Sequence, residues 1–171
     1  AQTYYVNINA EDGGDGSEGS PFSSIQTAID ASSTTIADMI FVHAGTYSGD
    51  IAVDHNVKII SIDGQDATVI TGQGQSRVVT ISDGIDNTTT IDGFMLIDGD
   101  GGEKGGALLV ENASPILRNL DIRGNQALKG GGIYLENSSS EFESVSVTGN
   151  YTSSFSGEGG AIYIASSTIN L

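Results

Sequence analysis

Apolar residues in this chain come in short alternating runs separated by Gly, Asn, Asp and Ser. "IFVHAG", "DIAV", "VKIIS", "TVITG", "VVTIS" and "TTIDGFMLID" follow one another through the first half. "ALLV", "ILRNLDI", "GIYL", "EFESVSV" and "AIYI" continue through the second. Alternation with a period of two, rich in β-branched and aliphatic residues, predicts half-buried strands, and the residues between them are turn formers. One segment departs from this pattern. After a strand "TYYVN" and a loop "EDGGDGSEG", the stretch "SPFSSIQTAIDAS" places Phe22, Ile25, Ala28 and Ile29 on one helical face. Ser20 is the expected N-cap there, with Pro21 in the first helical position.

The runs repeat. "KGGALLVENASPILRNLDIRGN" (104–125) aligns without a gap on "KGGGIYLENSSSEFESVSVTGN" (129–150), and a third copy opens at "GGAIYIASSTINL" (159–171) after a longer loop. One step further back, Met95, Ile97, Gly99 and Asp100 are expected in the same columns. A period of about 25 residues with two or three strands and no helical crossover predicts an all-β solenoid: a right-handed parallel β-helix of about six coils, stacked at roughly 4.8 Å. The N-terminal helix would cap its first open edge. One domain, 1–171, is expected, with strand, loop and cap in 1–35, irregular coils in 36–103 and regular coils in 104–171. The third copy stops partway through a coil, so the chain is expected to be C-terminally truncated, with its open end available to a second copy in a homodimer.

Stacking gives each column a physical role. Leu120 over Val145 and Ile122 over Val147 are expected as interior aliphatic stacks. Asn150, Asn125 and Asp100 are expected as a polar ladder at a corner, because Asn tolerates left-handed backbone and hydrogen-bonds along a stack. The Gly-Gly pairs mark a tight corner.

Composition narrows the function. Six basic residues stand against 22 acidic ones, for a net charge of −16. The basic stripe that nucleic acid requires is absent, and no apolar run reaches the length of a membrane span. Without cysteine there is neither a disulfide framework nor thiol chemistry.

"DGSEGSPFSSIQTAI", "IFVHAGTY" and the series "GGALLV", "GGGIYL", "GGAIYI" with "RGN" and "TGN" resemble parallel β-helix proteins of the pectin-lyase-like superfamily. More narrowly, they are similar to secreted bacterial surface proteins. The Gly-Gly-aliphatic element is similar to the repeats of polymorphic outer-membrane proteins, but the Phe-x-x-Asn partner motif is missing, since Glu-Ser-Val follows Phe142. The resemblance implies an extracellular or cell-surface location, a polysaccharide as partner, and either a structural or carbohydrate-binding module or a fragment of a polysaccharide lyase or glycoside hydrolase.

A lyase would need a Lys or Arg base, with calcium or a second cation neutralising a uronate. The catalytic candidates are Lys104, Lys129 (in register with Lys104) and Arg123, expected above Asp98 and below Thr148. Glu103 and Glu158 are the expected partners of the two lysines. A hydrolase would need paired carboxylates, and Glu111 and Glu136 are in register. Candidate calcium ligands are Asp12, Asp15 and Glu18 in the first loop and Asp98 and Asp100 in "DGDGGEKGG". The exposed columns are otherwise Ser, Thr, Asn and single charges, which favours a binding or structural role over catalysis.

Overall fold

The computed structural model describes residues 1–171. Each coil contributes three short strands. After β1 (Thr3–Val6) and the helix α1 (Ile25–Ala31), the first coil holds β2 (Asp38–Val42), β3 (Gly45–Ser48) and β4 (Ile51–Val53). The second holds β5 (Val57–Ser61), β6 (Thr68–Thr71) and β7 (Val79–Ser82), and the third β8 (Thr90–Asp92), β9 (Met95–Ile97) and β10 (Leu108–Glu111). In the fourth, β11 (Ile116–Arg123) runs through the first two positions and β12 (Gln126–Ala127) and β13 (Ile133–Glu136) follow. The fifth repeats this with β14 (Ser139–Thr148), β15 (Tyr151–Thr152) and β16 (Ile162–Ala165), and β17 (Thr168–Asn170) starts another turn. All strand pairs are parallel, so the chain is a parallel β-helix. The five-stranded sheet β4-β7-β10-β13-β16 counts five coils rather than the six expected, because the irregular strands of the first half group three to a coil.

The stacks are continuous. Ile40, Ile59, Ile91, Leu117 and Phe142 pair in register, as do Tyr47, Ile70, Leu96, Ile122 and Val147. On the five-stranded sheet the corresponding column is Ile51, Val79, Leu108, Ile133 and Ile162. The first four members of each column are buried, and burial of such side chains is the main term holding coil to coil. In β11 and β14 one residue each, Asn119 (φ 48°) and Ser144 (φ 55°), bends the strand where Gly93 separates β8 from β9.

Two expectations are corrected here. The helix starts at Ile25, and its N-cap is Ser24, whose hydroxyl accepts from the Thr27 N–H at 3.1 Å. Ser20 and Pro21 lie outside it because Phe22 is committed to β1: its N–H donates to Tyr5 O and its carbonyl accepts from Asn7 N, both at 2.9 Å. Ile25, Ala28 and Ile29 do cover the first coil. The second correction is one of register. Asp100 bridges Gln126, while Lys104 bridges Lys129. Three residues (Gly101, Gly102, Glu103) separate the first pair member from the next, against two (Ala127, Leu128) in the following coil. Upstream of this insertion every column shifts by one. Leu96 lies in the Ile122 column and Met95 pairs with Asp121. Gly99 rather than Asp100 lies beneath Asn125, and Ile97 rather than Asp98 beneath Arg123.

Candidate functional site

The corner after β9 and β11 is built by asparagine. Asn125 is fully buried: its Oδ1 accepts from Gly99 N at 2.8 Å, and its Nδ2 lies 3.0 Å from Leu96 O and from Arg123 O and 2.8 Å from Asn150 Oδ1. Asn150 repeats the pattern one coil on, with Nδ2 donating to Ile122 O at 2.8 Å and Oδ1 accepting from Asn125 N at 3.0 Å. Each amide thus satisfies a carbonyl and an N–H of the preceding coil where the strand ladder opens. Gly99 ends the ladder because a Cβ there would run into Gly106 O and Asn125 Oδ1. A second, exposed ladder runs outside: Asn137 Nδ2 donates to Asn112 Oδ1 at 3.0 Å, and Asn112 Nδ2 to Asp83 Oδ1 at 2.8 Å.

With Asn125 and Asn150 turned inward, the residues after them, Gln126 and Tyr151, face out. Together with Gln73 and Asp98 of the earlier coils they line a trough of about 310 Å³ around the glycines Gly74, Gly99 and Gly124. Tyr151 is 52% exposed. Gln126 is held by Asp100, whose Oδ2 accepts from Nε2 at 2.8 Å while Oδ1 accepts from Gly102 N at 3.0 Å. Asp98, in left-handed conformation at φ 50°, presents its carboxylate beside Gly124.

The basic candidates lie elsewhere and are already engaged. Lys104 Nζ sits 2.6 Å from Glu111 Oε1 and 2.7 Å from Glu136 Oε2 on the outer face of the five-stranded sheet, so Glu103 is not its partner. Those two hydrogen bonds raise the Lys104 ammonium above the ordinary lysine value, and Lys104 in turn lowers the Glu136 carboxyl. A lyase base needs the opposite shift. Lys129 Nζ lies 3.5 Å from Glu158 Oε2, which raises it as well. Arg123 Nε lies 3.5 Å from Asp121 Oδ2, and Nη2 contacts Met95 Sδ at 3.0 Å. Tyr134 and Tyr163 stack on the same face at 5.0 Å, and each is covered by a lysine from the coil before, Lys104 at 4.8 Å and Lys129 at 5.1 Å. Stacked tyrosines with cations over them form a cation–π stack, and lysine holds the ring faces a ligand would use.

The acidic loops do not converge. No group of three His, Cys, Asp or Glu side chains comes together to hold a metal. Asp15 Oδ1 accepts from Ser17 N at 2.9 Å, the Ser17 hydroxyl and then this N–H lower its carboxyl, and Asp12 Oδ1 accepts from Ser23 Oγ at 3.4 Å. Glu18 is exposed.

Two features were not legible in the sequence. Arg77 donates to the carbonyls of Gly101 (3.2 Å), Lys104 (2.7 Å) and Gly105 (2.9 Å) and to Thr80 Oγ1 (3.0 Å), clamping the loop that carries the insertion. Burial pulls its guanidinium below the ordinary arginine value. His55 Nδ1 lies 2.7 Å from Asp54 Oδ1 and its Nε2 2.6 Å from Ser32 Oγ. The order Ser–His–Asp is that of a nucleophilic relay. Yet Ser32 is 7% exposed, its hydroxyl donates to Ile29 O at 2.7 Å, and the Ser33 N–H goes to Asp38 Oδ2 at 2.8 Å. The trio fastens the C-terminal end of α1 to the β4–β5 turn.

Stacked parallel coils with a helical first edge define the chain as a parallel β-helix protein. Over residues 8–170 it matches the family described as "Protein of unknown function (DUF1565)", and it belongs to that family. Among solved structures it is similar in fold to a pectin methylesterase bound to a hexasaccharide, at 11% identity and a TM-score of 0.51, covering 87% of this chain and 54% of the other. A rhamnogalacturonan lyase also matches, at 12% identity and a TM-score of 0.38, over 99% of this chain and 50% of that one. The chain thus spans about half the length of these structures. No curated protein matches it in sequence.

Proposed function

We propose that this protein is a glycan-binding β-helix module of an extracellular or bacterial cell-surface protein, and that the trough of Gln73, Asp98, Gln126 and Tyr151 is its ligand site. The observation that carries the reading is a division of labour on the surface. The charged side chains suited to chemistry are paired with one another around Lys104, whereas the trough offers an open tyrosine and side-chain carboxylate and amide groups turned outward. A sugar needs such a face, an aromatic surface bordered by hydrogen-bonding groups. The pectin methylesterase of similar fold holds a hexasaccharide, which makes glycans the first ligands to try. No helix of the chain is long and apolar enough to cross a membrane. Pairing of two copies through the last coil, where Phe155, Ile164 and Leu171 are exposed, belongs to the same proposal. Sedimentation over a range of concentrations tests that part, and a monomer throughout would refute it.

The alternative, a fragment of a polysaccharide lyase or glycoside hydrolase, has one observation in its favour. Glu111 and Glu136 pair in register and reach the same ammonium. The test is a panel of polyuronates and neutral glycans, with and without calcium. Retention in affinity gels reports binding, while ultraviolet absorbance and reducing ends report cleavage. Retention without turnover is expected. Turnover of any glycan would replace the binding reading with the enzymatic one.

A further inference from the structure

We infer that the trough takes an uncharged, hydroxyl-rich oligosaccharide laid along the solenoid axis, and that it rejects polyuronates. This rests on the glycan-binding reading above and assigns its ligand class.

The first reason is charge. Of the residues lining the trough, the sole charged one is Asp98, and it is an acid. Asp100, just behind Gln126, adds a second negative charge. Arg123, the residue before Gly124, is drawn to Asp121 and Met95. A uronate would meet a carboxylate with no cation opposite, on a chain whose net charge is −16. Like charges brought together without compensation cost affinity and slow the encounter.

The second reason is the inventory of donors and acceptors. Asp98 can only accept. Gln126 has spent one N–H on Asp100, which leaves its second N–H to donate and its Oε1 to accept. With the Asp98 carboxylate accepting and the Gln73 and Gln126 amides doing both, the natural complement of the site is a row of groups that donate and accept. Sugar hydroxyls are such a row, and a hydroxyl bonded to an ionised carboxylate is a strong hydrogen bond. Gly74 has open space above the backbone, and Gly124 has only the Asp98 carboxylate near it, so a ring can approach closely.

The third reason is direction. Gln73, Asp98, Gln126 and Tyr151 come from four successive coils, the second to the fifth. Four rungs at roughly 4.8 Å span about 14 Å along the axis. A linear oligosaccharide fits such a strip, with Tyr151 stacking on one ring and the acceptors facing the others.

The experiment uses the whole chain in affinity gels and calorimetry. One arm carries neutral glycans (galactan, arabinan, xyloglucan and glucans), and the other carries polygalacturonate, each with calcium and with chelator. Retention by a neutral glycan, with none by polygalacturonate in either condition, is expected. Tyr151→Ala should then weaken binding about tenfold or more, the loss of one aromatic contact. Asp98→Asn, which keeps the shape and removes the charge, should weaken it as well. Circular dichroism checks that both variants keep the fold. Binding of polygalacturonate, with or without calcium, would overturn the ligand class and leave the glycan-binding function standing. Retention by neither arm would remove the function itself. Neutral-glycan binding unchanged in both variants would move the site away from the trough.

Discussion

Asn125 and Asn112 are one residue type at the edge of one repeat, yet they carry different weights. Asn125 is fully buried and serves Gly99 N, Leu96 O and Asn150, so Asn125→Ala strands several polar groups inside the coil. A cost of about 3 kcal/mol or more is expected in urea unfolding, from about 1–3 kcal/mol per orphaned group. Asn112 is exposed at φ 51°, where glycine is at ease, so Asn112→Gly should change stability by less than about 1 kcal/mol. Equal losses for the two would contradict the division into inner and outer ladders. The repeat alignment found both columns. It could not say which pointed inward, because a one-residue difference in turn conformation decides that.

The cap helix and the Lys104 cluster are the elements that hold the ends and the face of the stack. With seven residues, α1 is too short to persist alone and depends on Ile25, Ala28 and Ile29 against the first coil. Ile29→Ala should cost about 2–5 kcal/mol and show as a lower urea midpoint. Lys104 sets the pH response of the outer face. The Glu136 carboxyl is lowered in the folded chain, so its contribution is present above the ordinary carboxylate value and is lost as pH falls through the lowered one. The Lys104 ammonium is raised, so its contribution holds below the ordinary lysine value and fades as pH rises through the elevated one. In Lys104→Met the two carboxylates face each other without a cation, and like charges in register repel. Acidification through the carboxylate range should then stabilise the variant relative to wild type, read as the difference in melting temperature at pH 4 and pH 7. The same slope in both proteins would show that the cluster carries no weight.

At the scale of the whole molecule, two properties follow from stacking and charge. Each coil contacts only its neighbours, so protection against hydrogen exchange should track local burial. It should be highest in β10 and β11, whose inward residues are buried on both sides, and lowest in β16 and β17, which pair on one side only. Uniform protection would mean that the solenoid opens as one unit. The net charge of −16 makes the folded chain repel itself, so added sodium chloride should raise the melting temperature.

The strand pattern, the 25-residue period and the presence of a cap were determined by the sequence alone, because alternation and repetition are local properties that stacking merely makes continuous. The tertiary structure decided the rest. One extra residue between Asp100 and Lys104 moved every upstream column, and the helix start expected at Ser20 moved to Ser24 because Phe22 pairs with β1. Lys104 found Glu111 and Glu136 through the meeting of two coils, and Asn125 and Asn150 turning inward leave Gln126 and Tyr151 to line the trough. Such contacts join residues that are far apart in the chain, and their geometry is set by how coils close and stack rather than by any one coil's composition.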